Sequence, residues 1–169
     1  SSVGPNVGSY AVTAVCDGTD YTATDNDTAT ITPLAITVAA NAASKVYGAA
    51  DPALTYSVTP ALVNGDSLTG TLSRVSGEDA GTYAINQGTL AASGNYTLTF
   101  TGADFTITPL AITITANATS KTYGEADPAL TYSVVPPLVS GDSLTGALTR
   151  APGENAGVYA IAQGTLAAN

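Results

Sequence analysis

Lys45 and Lys121 are the only lysines of the chain, and each stands two residues before a Tyr-Gly pair, seventy-six positions apart. In tandem surface domains, a lone lysine held near an Asn and a carboxylate can close an autocatalytic amide. Held near carboxylates alone, it forms an ion pair. A partner for either chemistry must recur at the same interval, which admits Asp51/Asp127, Asp66/Asp142 and Glu78/Glu154. It excludes Asn64 and Asn86, whose counterparts are Ser140 and Ala162, and no recurrent Asn lies near enough in the strand regions to serve. The expectation is an ordinary salt bridge, partly buried, at Lys45 and at Lys121.

Asp25-Asn26-Asp27, with Asp17 and Asp20 nearby, gathers hard oxygen donors of the kind calcium takes. Their spacing matches no complete calcium loop, and the expectation is a solvated acidic turn, with a calcium site at Asp25 and Asp27 as the sharper alternative and no other cofactor. Asp51-Pro52 and Gly65-Asp66-Ser67 read as turn initiators. Tyr47, Tyr56, Tyr83 and Tyr96, repeated at 123, 132 and 159, would suit sugar stacking if exposed together, whereas Tyr56 and Tyr83 in alternating strands read as packed rings with the hydroxyl at the rim. Sequons at Asn26, Asn95 and Asn117 read as chance matches. Cys16 is the single cysteine and reads as a small hydrophobe; an intermolecular disulfide is the alternative. With no His, and no Cys after position 16, Ser/His and Cys/His nucleophile sites are absent and zinc loses its usual ligands, so no catalytic residue is assigned and no enzyme is expected.

These residues are positioned by a repeat. The stretch from Pro33 to Thr108 recurs from Pro109 onward without insertion or deletion: Pro33/Pro109, Tyr47/Tyr123, Asp66/Asp142 and Tyr83/Tyr159 all share one offset of 76. A period as long as a small domain marks tandem modules rather than a solenoid. Val7 to Val12 echoes Ala80 to Ile85, so residues 1–33 read as the C-terminal part of a preceding, diverged β unit. Residues 34–109 form one complete repeat. Residues 110–169 form a second one lacking its last strand, because Asn169 aligns with Ser93.

Composition narrows the class further. Apolar residues make up 44% of the chain but aromatics only 7%, so small cores of Ala, Val, Ile, Leu and Tyr are expected. The net charge of −9 is spread over all three parts with no basic patch, which disfavours nucleic acid and anionic membranes as partners. No apolar run is long enough to span a bilayer.

Strand signals dominate. Leu34-Ala35-Ile36-Thr37-Val38, its copy Leu110 to Ile114, Tyr96 to Phe100 and Phe105 to Ile107 alternate with period two. Leu54 to Val58, Gly70 to Arg74, Gly81 to Ile85 and Gly88 to Ala91 are shorter candidates, and Pro60 to Leu68 has room for one helical turn. The unit is therefore expected to be all-β, a β-grasp-like or small sandwich fold. Ile31-Thr32-Pro33-Leu34 and Ile107-Thr108-Pro109-Leu110 leave no flexible linker, and proline holds the preceding residue extended. Elongated tandem modules with stiff joints are expected, each spanning on the order of 30 Å or a little more.

Ser44-Lys45-Val46-Tyr47-Gly48, Asp51-Pro52-Ala53-Leu54-Thr55-Tyr56, Gly65-Asp66-Ser67-Leu68, Gly77 to Tyr83, Gly88-Thr89-Leu90, Asn95-Tyr96 and Ile107-Thr108-Pro109 together resemble the MBG family of "YGX" type. The resemblance covers the whole central unit and the available part of the next; residues 1–33 fit loosely. It implies a β-grasp-like extracellular stalk module of the kind arrayed in large secreted and surface proteins of bacteria, including adhesins, and it carries over no catalytic residue.

The expected function is a structural segment of a stiff extracellular shaft or filament, with a multivalent carbohydrate- or protein-binding module of an adhesin as the alternative. The expected partners are further copies of the repeat, head to tail. Strand addition between chains, with residues 19–32 completing another chain's last unit, is the bolder form of that expectation. A window on a longer polypeptide is the plainer one.

Overall fold

We describe the protein from a computed structural model, over residues 6–17, 22–63 and 65–168, the side chains of 16, 17 and 22–24 excepted. Among the described residues there is no helix, so none is long and apolar enough to cross a membrane. The chain divides into two compact units, Ser1–Thr108 and Pro109–Asn169.

The first unit opens with a hairpin, β1 (Gly8–Asp17) antiparallel to β2 (Thr22–Ile31). Then come β3 (Leu34–Ala40), β4 (Ala43–Val46), β5 (Tyr56–Thr59), β6 (Ser73–Arg74), β7 (Gly81–Asn86), β8 (Tyr96–Thr101) and β9 (Ala103–Thr108). They form two sheets, ordered β5-β3-β8 and β4-β9-β7-β6. β3 pairs β8 in parallel from Leu34 opposite Tyr96, and β4 pairs β9 in parallel from Ala43 opposite Phe105. Both pairings keep one register. The first and last segments of the repeat therefore run side by side and pass together from one sheet to the other at Asn41-Ala42 and Gly102.

Alternation places the core as the sequence pattern requires. Ile36 and Val38 on β3 are buried with Leu90 and Tyr96, while Ile85, Phe105 and Ile107 form a second buried cluster against Leu54, Leu72 and Tyr83. Phe105 is fully buried and is the only aromatic ring in the second cluster's centre.

The second unit carries β10 (Thr113–Ala116), β11 (Tyr132–Val135), β12 (Leu144–Thr145), β13 (Thr149–Arg150), β14 (Ile161–Ala162) and β15 (Ala167–Ala168), in three two-stranded pairs. Thr113 faces Val135 as Thr37 faces Thr59, Arg150 faces Ile161 as Arg74 faces Ile85, and Thr145 faces Ala167 as Thr69 faces Ala91. Every pairing of the first repeat that excludes β8 and β9 thus recurs. Residues 119–122, which match β4, are not a strand here, whereas β4 is held in the first unit by its pairing with β9.

Within the segment that has room for one helical turn, the Asp66 amide donates to the Val63 carbonyl and closes a single turn. Other local expectations are corrected. Gly88 to Ala91 is a turn with a single bridge at Ala91, and the strand expected over Gly70 to Arg74 is reduced to its last two residues, since Gly70 and Gly88 lie against the opposing backbone. Asp25 and Asp27 lie within β2, opposite Ala14 and Val12, rather than in a turn.

Candidate functional site

Each unit closes a ring of four charges. In the first, β4 delivers Lys45, the turn after it delivers Asp51, β6 ends on Arg74, and Glu78 precedes β7. Lys45 Nζ donates to Asp51 Oδ1 at 2.7 Å and to Glu78 Oε2, while Arg74 grips Asp51 with Nε at 2.6 Å and Nη2 at 3.1 Å and reaches Glu78 Oε1 at 2.6 Å. The guanidinium's remaining nitrogen, Nη1, donates to the carbonyls of Val75 and Gly77, so the fork of donors is used in full. Its plane lies over Phe105 at 4.8 Å and Tyr83 at 5.5 Å, a cation–π arrangement.

The local sequence explains the placement. Gly77 has φ +148, and a Cβ there would come within 2.2 Å of the Tyr83 ring. Only glycine lets the turn pass under the tyrosine and aim its carbonyl at Arg74. The Tyr83 hydroxyl then donates to the Asp79 carbonyl at 2.9 Å, four residues back.

The second unit repeats the ring with Lys121, Asp127, Arg150 and Glu154: Lys121 lies 2.5 Å from Asp127 and 2.6 Å from Glu154, and Arg150 Nε lies 2.8 Å from Asp127 Oδ2. Arg150 lies over the Tyr159 ring at 5.1 Å, and Tyr159 donates to the Asn155 carbonyl. Tyr10 donates in the same way to the Asn6 carbonyl, and the hairpin pairs Tyr10 with Ala29 as β7 and β9 pair Tyr83 with Phe105.

Opposite charges at hydrogen-bond distance fix the protonation states. Arg74 first, and Lys45 second, hold Asp51 at about 2; Arg150 and Lys121 do the same for Asp127. Lys45 pushes Glu78 down, with Arg74 adding to it, and Asp51 and Glu78 raise Lys45. A protonated amine is no nucleophile, and an ionised carboxylate is no acylating partner. Each ring is thus neutral in sum at neutral pH. What it does is tie together four segments of the fold.

The sequence candidates fall out unevenly. Of the three recurrent acids, Asp51/Asp127 and Glu78/Glu154 meet the lysines. Asp66 instead accepts from the buried Tyr96 hydroxyl at 2.7 Å, and burial, then Asp66, raises that phenol's pKa. Arg74 and Arg150, the pair that completes each ring, went unread in the sequence, although they too recur at the common offset. Asp25 and Asp27 are exposed and each accepts from the next backbone amide. Asp20 lies outside the described residues, as do the side chains of Asp17 and Cys16. Among the described residues no three His, Cys, Asp or Glu side chains gather as a metal site. Tyr56 and Tyr132 are both 37% exposed, Tyr83 and Tyr159 are half-buried, and Tyr123 is exposed where Tyr47 packs on the core.

Comparison with curated proteins and with solved structures gives no match. The family model of the MBG domain (YGX type) matches residues 36–106 and again 112–169. With most of its length covered by two copies of that domain, the chain belongs to the MBG family, YGX type.

Proposed function

We propose that this chain is a repeat segment of a stiff extracellular shaft or filament in a bacterial surface adhesin or fibre, with no catalytic role. MBG repeats are typical of secreted surface proteins, which supports the setting. The observation that carries the reading is the parallel pairing of the repeat's first and last segments. Leu34 lies beside Tyr96 at one end of the ribbon and Thr108 lies beside Val46 at the other. A chain that enters a module at one end and leaves at the opposite end adds modules in series. An antiparallel pairing would bring it back to its start. Each module then advances the chain by roughly 30 to 40 Å, the rise of about a dozen extended residues.

The charge rings fit the role. All four bases of the chain sit in them, leaving no basic residue to pair with the other nine acids. The surface outside the rings is acidic without relief, which keeps neighbouring shafts apart, and every trypsin-type cleavage site is held in a network.

Small-angle scattering on chains of two, four and six repeats tests the proposal. The maximum dimension is expected to rise by a constant 30 to 40 Å or so per repeat; growth as the cube root of mass would refute it. The binding-module alternative has in its favour Tyr56 and Tyr132, equally exposed in both units. One recurrent exposed ring per unit makes a thin platform, and a glycan screen in which Tyr56→Ala and Tyr132→Ala abolish a signal would favour that alternative.

A further inference from the structure

In the repeat from Leu34 to Thr108, the first and last segments are bonded to each other along their whole length. At the entry the Leu34 amide donates to the Asn95 carbonyl at 2.9 Å, and at the exit the Tyr47 amide donates to the Thr108 carbonyl at 2.8 Å. Between these points β3 lies beside β8 over six register pairs and β4 beside β9 over four, all parallel. The chain runs on from both ends of this ribbon, through Thr32-Pro33 and through Pro109-Leu110. Tension along the chain therefore pulls β3 and β4 one way and β8 and β9 the other. Such sliding strains every bond of the ribbon at once, whereas peeling two strands apart from one end strains them a pair at a time. The covalent loop that joins the two sides of the ribbon carries none of the load until the ribbon parts.

We propose that this repeat is a load-bearing module, a shear clamp that keeps its fold when the chain on its two sides is pulled apart. The charge ring reinforces the exit half of the clamp. The Thr108 hydroxyl donates to the Lys45 carbonyl at 3.3 Å. The Lys45 amine is bound to Glu78, which precedes β7, and β7 is paired with β9 from Gly81 opposite Ile107. Moving β4 along β9 thus draws Lys45 away from Glu78 in the same step. It also drags the buried Phe105 and Ile107 past their neighbours and takes Phe105 from under Arg74. The proposal goes beyond the shaft reading, which concerns how modules join, because it stands on the pairing inside one module. A rod without directional strength would keep the shaft and sink the clamp.

The test pulls the 169-residue chain in single-molecule force spectroscopy through two pairs of introduced thiols, with Cys16→Ala to remove the native one. Thr32→Cys with Ala111→Cys loads the repeat along the chain and shears the ribbon. Thr32→Cys with Gly94→Cys loads the same repeat at its entry end alone and peels β3 from β8. Thr32 and Ala111 are exposed and a Cβ at Gly94 meets nothing within 4 Å, so the two chains differ in the direction of load and not in packing. Forced unfolding follows the barrier along the pulled direction rather than the equilibrium stability, and the shear pair is expected to unfold at about twice the force of the peel pair or more. Equal forces in the two directions, or a lower force along the chain, overturn the proposal. Lys45→Met is expected to lower the shear force by a larger share than the peel force, since peeling starts at Leu34 and Tyr96, at the other end of the ribbon from the ring. An equal share lost in both directions overturns the part given to the ring.

Discussion

The two repeats share 44 of the 60 residues between positions 34 and 93 and their counterparts, yet they differ in depth. Ile36, Val38 and Ile85 are buried, while Ile112, Ile114 and Ile161 are only half-buried. The Lys45 side chain is 4% exposed against 21% for Lys121, and Arg74 10% against 18% for Arg150. Distances within the two charge rings nevertheless agree to a few tenths of an ångström. Ring geometry is therefore local, set by the turns between residues 45 and 83. Ring burial is remote, set by a strand pair that arrives only at residues 96–108.

The strongest way to break that contrast is Phe105→Ala. It removes a fully buried ring from the first unit's interior and is expected to cost about 3 to 5 kcal/mol there. The second unit, which has no such ring, should keep its own stability. Chemical denaturation followed by NMR at Ile85 and at Ile161 separates the two effects.

Next in size comes the pair Arg74→Met and Arg150→Met. Removing the guanidinium leaves two carboxylates facing one lysine, a penalty that grows with burial. The denaturation midpoint of the first unit should fall further with Arg74→Met than that of the second with Arg150→Met. Equal falls would show that burial of the ring does not matter.

Trypsin sharpens the same comparison without mutation. Cleavage after Lys121 and Arg150 is expected to precede cleavage after Lys45 and Arg74 by about tenfold or more, since local opening is easier where fewer apolar contacts hold. Mass spectrometry of a time course reads the order.

The smallest effect is acid sensitivity. Asp51 and Asp127 are held at about 2, below the ordinary aspartate value of 3.8, so the stability they contribute is complete above 3.8 and is lost as the pH falls from there through about 2. Lys45 and Lys121 are raised, so their contribution is complete below the usual lysine value of 10.5 and is lost as the pH rises through the elevated one. The carboxylates are 41% to 66% exposed, so added salt should blunt both effects. Denaturation midpoints at pH 7, 4 and 2, with and without salt, check the sign.

Much of this was legible in the residues themselves. Alternation in Leu34 to Val38 and Phe105 to Ile107 marks strands and core because a half-buried strand must alternate, and the common offset singles out Asp51 and Glu78 among the lysine partners. The sequence was silent where partners are remote. Nothing in Leu34 to Ala40 says that its neighbour will be parallel and sixty-two residues away. Nothing in Ser120 to Thr122 says that it will form no strand where Ser44 to Val46 does. Asp25 and Asp27 read as a turn because acidic, Asn-containing runs favour turns; pairing with β1 overrides that preference. Arg74 and Arg150 were missed because lysine chemistry drew attention to acids, although a bidentate guanidinium is the better organiser of a carboxylate pair.

The account rests on β8 and β9 as what gives a repeat its interior, and native-state hydrogen exchange on the 169-residue chain addresses that directly. Amides of Ile36, Val38 and Ile85 are expected to exchange only with unfolding of the first unit, and those of Ile112, Ile114 and Ile161 about a hundredfold faster or more. Equal protection at the two sets of positions would contradict it.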